Sequence, residues 1–291
     1  MLAAMADSPA SERHGIGAMR GSRRPLVRLI AGCAVSIAAA TAPACAGEGA
    51  RASDWTLTLG VESRVLPQFD GSENNVLRPL PVFRIRRNGT PEQFRSPRDG
   101  AGATLIDTPQ FKFGPAIKIK LPRKESDAGA LGGLGDIGWT VEAGGFAEIW
   151  PLEWLRGRVE LRQGFGGHEG LVGDLSADLV VPLTDRLTVS GGPRLSAANA
   201  AAISPYYSIT TAQSAASGLP VYSAGSGLKS WGAGMQFSYR LAPRWRSYWF
   251  FEYEQLAGDA AKSPLVTQRG SLNQIQVGIG VTRSFDIPGL W

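Results

Sequence analysis

The sequence predicts an all-β protein, a transmembrane antiparallel up-and-down β-barrel of about twelve strands (roughly 10–12). Apolar and polar residues alternate over long stretches of the chain, which is the period of a β-strand. Several stretches run for roughly 10–13 residues, and a tilted strand needs about 9–11 residues to cross a bilayer. Short turns separate some of these stretches, and long loops rich in Gly, Ser and Pro separate others.

The predicted strands follow directly from the alternation. In the last one, Ile275, Val277 and Ile279 alternate with Gln276 and Gly278. Strong alternation covers 55–62, 111–120, 137–149, 171–181, 230–239 and 274–282. Weaker strands cover about 80–87, 101–107, 156–166, 186–197 and 244–257. That makes eleven, and single-chain bacterial barrels have even strand numbers. We therefore expect a twelfth strand, near 92–97.

A soluble β-sandwich is the alternative fold, because it also exposes one face of each strand and buries the other. Strands of soluble sheets are usually about 5–6 residues long, shorter than those predicted here. Aromatic residues lie near the strand ends, as in the interfacial girdles of membrane barrels: Trp55, Trp139, Trp150, Trp154, Tyr239, Trp245, Trp249 and Phe285. Strand length and aromatic placement favour the barrel.

Two kinds of connection join the strands. Tight turns are predicted at 184–186 and 241–244, and long loops at 63–79, 121–135, 198–228 and 257–271. Short turns on one side and long loops on the other are typical of outer-membrane barrels. Within the longest loop, the segment from Thr211 to Ala216 could form a helical turn.

The first 46 residues read as a signal peptide. Arg20, Arg23 and Arg24 form a positive segment, a mostly apolar run follows over 26–42, and Ala44-Cys45-Ala46 is a small-x-small cleavage signal. We expect cleavage before Gly47, which leaves residues 47–291 as the outer-membrane barrel. Met19 offers a second start that gives a leader of more usual length.

Two other readings of the leader stay open. Ser22-Arg23-Arg24 resembles a twin-arginine signal, but that route carries folded cargo, and a barrel must cross the inner membrane unfolded. Ile30-Ala31-Gly32-Cys33 resembles a lipoprotein box, although most of the apolar run lies after Cys33. The general secretory pathway is the expected route. Both cysteines, Cys33 and Cys45, fall in the leader, so the mature chain has no disulfide and no thiolate site.

The charge of the chain argues against nucleic-acid binding. The formal net charge is +5, but five of the 30 basic and two of the 25 acidic residues precede residue 47. The mature chain then has 25 basic and 23 acidic residues, a net charge of +2. Most of the excess belongs to the leader, so electrostatic attraction to nucleic acid is not supported.

No catalytic, cofactor or metal site is predicted, and the protein is not expected to be an enzyme. His168 is the only histidine of the mature chain, so a serine hydrolase would have to use it. Asp174 and Ser176 share a strand face with no reason to converge on it. Residues 166–170 read as a flexible hairpin loop. A single histidine with Glu169 lacks the partners of a zinc site, and the glycine-rich run at 131–136 lacks the Lys-Ser/Thr of a phosphate loop.

Two basic patches need an explanation. Arg84, Arg86 and Arg87 form one, and Lys118, Lys120, Arg123 and Lys124 form the other. We expect these charges to lie in the lumen or at its rim and to balance inward carboxylates: Glu142, Glu148, Glu160, Glu252 and Glu254. The alternative is contact with anionic lipopolysaccharide or with an anionic permeant.

Several short motifs, in a fixed order, carry a resemblance to a known family. They are Pro67-Gln-Phe-Asp-Gly-Ser72, Pro79-Leu-Pro81, Leu131-Gly-Gly-Leu-Gly-Asp136, Gly167-His-Glu-Gly170, Gly191-Gly-Pro-Arg194, Ser217-Gly-Leu-Pro-Val-Tyr222, Gly227-Leu-Lys229, Leu256-Ala-Gly-Asp-Ala260 and Ser263-Pro264. From about Trp55 to Phe285 the chain resembles the MipA/OmpV family of outer-membrane proteins, named for an MltA-interacting protein.

The resemblance implies an outer-membrane barrel surrounded by lipid and lipopolysaccharide. For the founding member it implies a scaffold that bridges a lytic transglycosylase and a bifunctional penicillin-binding protein, which remodel murein together. Other members are described as antigens or porin-like proteins. One departure concerns the C-terminus, since family members commonly end on the aromatic residue of the last strand. Here Phe285 is followed by six more residues, so either Phe285 or Trp291 serves as the assembly signal.

Two functions remain open from the sequence. The first is a non-enzymatic scaffold for murein-remodelling enzymes, and the second is a narrow pore for small solutes. About twelve strands leave a narrow lumen that side chains can fill. Large inward residues favour a plugged barrel: Arg84, Arg86, Lys118, Lys120, Glu142 and Glu252. Inward Gly and Ser near 230–240 and 274–284 favour some open space.

Processing of the leader can be tested on the mature protein. Intact-mass spectrometry should show an N-terminus near Gly47 and no attached lipid, because the cleavage signal ends at Ala46. A diacylated Cys33 at the N-terminus would contradict this prediction.

Overall fold

The computed structural model describes residues 55–88 and 93–288. All of them belong to one compact unit that spans residues 50–291. The leader with its cleavage site, both cysteines and Trp291 lie outside the described residues.

The described residues form one antiparallel sheet of twelve strands, which confirms the predicted fold class and strand number. The strands are β1 (Trp55–Pro67), β2 (Asn75–Arg87), β3 (Ala101–Gly102), β4 (Ile106–Asp107), β5 (Phe111–Lys120), β6 (Thr140–Leu152), β7 (Leu155–Gly166), β8 (Leu171–Pro182), β9 (Leu187–Ala198), β10 (Gly227–Ala242), β11 (Trp245–Leu256) and β12 (Asn273–Ile287). Ten are long, with 10 to 16 residues, and β3 and β4 have two residues each.

The twelfth strand is not where the sequence placed it. Residues 93–97 form no strand, and residue 92 lies outside the described residues. The weak strand predicted over 101–107 is instead broken into β3 and β4, which gives the count of twelve. The other ten predictions correspond to the ten long strands.

Each long strand turns one face outward and one inward, as the alternation requires. In β12, Ile275, Val277 and Ile279 are 41%, 43% and 47% exposed, whereas Gln274 and Thr282 are buried. A sandwich would bury this apolar face in a core. The apolar residues of the other long strands are exposed in the same way, which is the arrangement of a barrel in lipid. The sandwich alternative is therefore wrong.

The two ends of the sheet differ. At one end, which we call the turn end, β6–β7, β8–β9 and β10–β11 are joined by turns of two to four residues. At the other end, five connections form what we call the cap: 68–74, 121–139, 167–170, 199–226 and 257–272. The predicted turns are confirmed. The predicted loop over 63–79 is wrong, because β1 runs to Pro67 and β2 begins at Asn75.

Four short helices build the cap: α1 (Ala200–Tyr207), α2 (Thr211–Ser217), α3 (Gly258–Lys262) and α4 (Pro264–Arg269). The helical turn predicted at 211–216 is confirmed as α2, where Thr210 caps the first turn together with Gln213. Helix α1 was not predicted, although Asn199 caps it through the amide of Ala202. None of the helices in the described residues is long and apolar enough to cross a membrane.

Two small apolar clusters hold the cap together. In one, Ile203 and Tyr207 of α1 pack with Val266 of α4 and Leu256 of β11. In the other, Leu131 packs with Ile209, Leu219, Leu265 and Phe69. Because these residues come from four of the five connections, the cap folds as one layer over the mouth of the sheet.

Glycines on the inner face make room for aromatic rings. A Cβ at Gly278 would collide with the ring of Phe250, and a Cβ at Gly280 with the ring of Tyr248. Both pairs lie on neighbouring strands, β11 and β12. The small inward residues near 274–284, which we expected to leave space in the lumen, are thus covered by aromatic side chains.

The facing of β12 can be tested with single cysteines, since both native cysteines lie in the predicted leader. A fluorophore at Ile279→Cys should be quenched by lipid-borne quenchers, and one at Gln276→Cys should not. Ile279→Arg should cost about 2–4 kcal/mol of unfolding free energy, the midplane penalty for such barrels, and Gln276→Arg much less. A label at Ile279 that is shielded from both lipid and water would rule out the membrane barrel.

Candidate functional site

The interior of the sheet is the candidate site, because it collects the charged residues of the inward face. Arg156 on β7 is fully buried. Its guanidinium lies 2.6 Å from Asp99, 2.9 Å from Glu148 and 2.9 Å from Asp178. A buried charge is tolerated only when it is paired and hydrogen-bonded, and Arg156 has three carboxylates around it.

The same strand carries two further arginines on its inner face. Arg158 lies 3.0 Å from Glu148 and 2.6 Å from Glu160. Arg162 lies 3.0 Å from Glu142 and also pairs with Glu160 and Asp174. The side chains of residues 156, 158, 160 and 162 thus form a continuous row of ion pairs on the inner face of β7, since every second residue of a strand faces the same side.

Residues 93–100, which we call the plug segment, run through this interior. The carbonyl of Pro97 accepts from Arg64 at 3.2 Å, and the carbonyl of Arg98 accepts from Lys118 at 3.4 Å. The amide of Gly100 donates to Glu160 at 3.1 Å. These partners belong to β1, β5 and β7.

Side chains of the plug segment add contacts to β9 and β11. Arg98 lies 2.9 Å from Glu254, and Ser96 accepts from Arg194 at 3.2 Å. Asp99 accepts from Arg156 at 2.6 Å and from the amide of Ser96 at 2.9 Å. Arg98 also lies 3.6 Å from Asp174 of β8, so the plug segment is held by six strands. Its polar groups pair with side chains of the lumen and not with the backbone of a neighbouring strand.

One cavity lies on each side of the plug segment. The cap chamber has a volume of about 190 Å³ and is lined by the cap residues Asp70 and Tyr207, and by Pro97 and Arg98 of the plug segment. The turn chamber also has about 190 Å³ and is lined by Leu80, Val82 and Arg84 of β2, together with Arg95, Ser96, Pro97 and Asp99. The plug segment thus lies between two cavities, each large enough for several water molecules.

Asp70 ties the cap to the strands. Its carboxylate lies 2.9 Å from the ammonium of Lys120 on β5 and 3.9 Å from that of Lys229 on β10. The Lys120 ammonium, assisted by Lys229, holds the pKa of Asp70 below its usual range. At neutral pH the carboxylate is therefore charged and joins two strands to the loop after β1.

His168 is buried, although we expected it in a flexible loop. Its Nδ1 accepts from the amide of Gly170 at 3.2 Å, so Nε2 carries the proton and donates to Glu142 at 3.2 Å. Its ring meets that of Tyr206 edge-on at 5.9 Å. Asp174 pairs with Arg162 and Lys118, away from this ring. His168 braces the β7–β8 loop against the lumen.

The basic patches divide between the two ends. Lys118 and Lys120 face inward and pair with Asp174 and Asp70, as expected for lumen charge balance. Arg123 is buried and donates to the carbonyl of Tyr206 at 3.2 Å. Arg84 and Arg86 are half-buried near the turn end of β2, and Arg87 faces out and lies over the ring of Trp55.

Sequence reasoning located the inward glutamates but missed the residues that pair with them. Glu142, Glu148, Glu160, Glu252 and Glu254 all lie in the interior. Their partners are Arg98, Arg156, Arg158, Arg162 and Arg194. The alternation Arg-Gly-Arg-Val-Glu-Leu-Arg over 156–162 was a usable signal for the row on β7. Nothing local marked Asp99 or Arg98 as lumen residues. The described residues hold no group of three metal-ligating side chains.

The ion pairs of Arg156 should matter for stability. Arg156→Met leaves Asp99, Glu148 and Asp178 without their shared cation, so we expect a loss of about 3–5 kcal/mol in unfolding free energy, measured by urea titration in lipid vesicles. Arg244→Met is the matched control. Arg244 is largely exposed and lies 2.8 Å from Asp286, so its replacement should cost less than about 1 kcal/mol. Equal losses for both variants would contradict the assignment.

Comparisons with solved structures return porins, channels and a surface protein at low identity. A KdgM porin is 8% identical with a TM-score of 0.36, and the match covers 79% of this chain and 99% of that chain. An outer membrane channel from Pseudomonas putida F1 is 11% identical with a TM-score of 0.41, over 82% and 100%. Neisserial surface protein A is 10% identical with a TM-score of 0.26, over 82% and 100%. Scores this low say nothing about what this chain binds.

The family comparison is more informative. No curated protein matches the chain. A family model described as MltA-interacting protein MipA matches residues 59–285, which confirms the resemblance seen in the sequence motifs. This family and the apolar outer face together support an outer-membrane β-barrel. Because the match covers most of the 291 residues, the chain belongs to the MipA family.

Proposed function

We propose that this protein is a non-enzymatic scaffold that is exported by the general secretory pathway and holds murein-remodelling enzymes at the outer membrane. The expected partners are a lytic transglycosylase and a penicillin-binding protein. The observation that carries the proposal is the filled interior, in which the plug segment is bound to six strands. A barrel closed in this way offers its surfaces for binding and leaves little room for transport.

The energetics of the interior support a closed barrel. Moving the plug segment would separate Arg98 from Glu254 and Asp99 from Arg156, and each separation removes a partner from a buried charge. Breaking one buried pair typically costs about 3–5 kcal/mol. Since the plug segment makes several such contacts, spontaneous opening is rare.

The turn end is the surface that suits periplasmic partners. Barrels of this class place short turns in the periplasm and long loops outside, and the N- and C-terminal strands begin and end at the turn end here. Exposed Glu153, Trp154 and Asp185 lie in these turns. Lipopolysaccharide then faces the cap, so the basic patch at the end of β2 lies away from it.

A narrow pore is the second candidate, and the two chambers favour it. The cap chamber and the turn chamber lie on opposite sides of the plug segment and share Arg64 and Pro97 in their linings. A displaced plug segment would join them into one path for small solutes.

Two measurements, conductance in planar bilayers and capture of a lytic transglycosylase, distinguish the scaffold from the pore. In planar bilayers the purified protein should show no steady conductance, whereas a variant with residues 94–99 replaced by a Gly-Ser linker should conduct. Immobilised protein should retain a purified lytic transglycosylase. Asp185→Lys should weaken capture, and Lys262→Glu in the cap is the control that should not. Steady conductance of the native protein together with no capture would favour the pore.

A further inference from the structure

Arg283 is a charged residue on the lipid-facing side of β12. Ile279 and Val281 precede it on the same outward face, and all three side chains are exposed. In the sheet, Arg283 lies opposite Leu59 of β1 and Trp245 of β11. A guanidinium therefore projects from a surface that is otherwise apolar.

The position of Arg283 along the strand places it at the border of the apolar band. Ile279 lies near the middle of β12, and Arg283 is four residues closer to the turn end, about 13 Å along the strand. With the usual strand tilt this corresponds to about 10 Å along the membrane normal, near the edge of a band about 25 Å tall. Phospholipid headgroups begin at this level, and a long arginine side chain extends toward them.

Two aromatic rings hold the guanidinium of Arg283. Its central carbon lies 5.3 Å from the ring centroid of Trp245 and 4.9 Å from that of Phe285, which is the range of a cation–π contact. Ring contacts do not saturate the five N–H donors of an arginine. Within residues 55–88 and 93–288 no carboxylate pairs with Arg283, and Asp286, the nearest in sequence, pairs with Arg244. The held guanidinium therefore has donors for an outside acceptor.

The rim around Arg283 is basic. We call the turn-end segments 55–57, 86–88, 240–246 and 283–288 the basic sector, and they belong to the neighbouring strands β1, β2, β10, β11 and β12. These segments hold six arginines and one carboxylate, Asp286. The turns on the other side of the rim hold Glu153, Asp185 and Arg186. Positive charge is thus concentrated on one side of the turn end, where it attracts anionic headgroups.

We propose that Arg283 binds the phosphate of an anionic phospholipid in the leaflet at the turn end of the barrel. The planar guanidinium suits two parallel hydrogen bonds to phosphate oxygens, and Trp245 and Phe285 fix its orientation. The acyl chains lie along Val281 and Ile279. A zwitterionic lipid would bring a headgroup ammonium into a sector that already carries an excess of arginines, so the net charge of the lipid matters. The site does not depend on the scaffold role.

Native mass spectrometry of the full-length mature protein in detergent tests the affinity. Phosphatidylglycerol should bind more tightly than phosphatidylethanolamine. Arg283→Gln should lower the affinity for phosphatidylglycerol by about fivefold, the upper end for an exposed charge pair. Arg186→Gln is the matched control, because Arg186 is an exposed turn-end arginine outside the basic sector, and it should leave the affinity unchanged. Heat-modifiable migration on gels checks that both variants are folded.

A photoreactive lipid tests the location. The protein is placed in nanodiscs with a phosphatidylglycerol analogue that carries a diazirine in its headgroup. Adducts should map to 243–247 and 281–287, and Arg283→Gln should remove these adducts while those elsewhere on the barrel remain. An excess of soluble glycerol phosphate should not reduce them, because the acyl chains hold the lipid beside β12.

Three results would overturn the proposal. They are an equal effect of Arg283→Gln and Arg186→Gln on the affinity, equal binding of the two lipids, and displacement of the adducts by glycerol phosphate. The first would reduce the site to a diffuse attraction between net charges. The second would leave only general contact with lipid, and the third would make Arg283 a site for free anions.

Discussion

Charges inside the barrel have to be paired, and the rest of the structure is arranged around this constraint. Arg156 has no exposure, and the three carboxylates that surround it offset the free energy of burying its charge. One of these, Asp99, is not on a strand. A segment that is not part of a strand must therefore enter the lumen to supply the third carboxylate beside Arg156.

That requirement explains why the sheet is interrupted where it is. Residues 93–100 pair with the lumen instead of extending β2 or β5, so 101–107 reaches β5 only at two short bridges. A fully paired barrel would need a regular strand in place of the plug segment. Such a strand would place Arg98 and Asp99 on opposite faces. In the plug segment, Arg98 pairs with Glu254 and Asp99 with Arg156, which are both inside.

Patterns within a strand were readable from the sequence, and contacts across the lumen were not. The period-two alternation located all ten long strands, because lipid and lumen impose opposite polarity on successive residues. Pro79 misled the loop prediction over 63–79, since a proline breaks a central strand but is compatible with an edge strand such as β2. The burial of His168 depends on Glu142, 26 residues away, and the role of Asp99 depends on Arg156, so no local pattern could reveal either.

The pairing of β1 with β12 has a consequence for chain connectivity. Trp55 lies opposite Ile287, so the first and last strands are neighbours at the turn end, while the interruption of the sheet falls inside the sequence. The order of strands in space is thus a rotation of their order along the chain. A circular permutant that joins residue 287 to residue 55 through a short linker and begins just before the plug segment would have both new termini in the stretch of sequence between β2 and the plug segment. It would convert an internal interruption into the ordinary ends of a continuous meander.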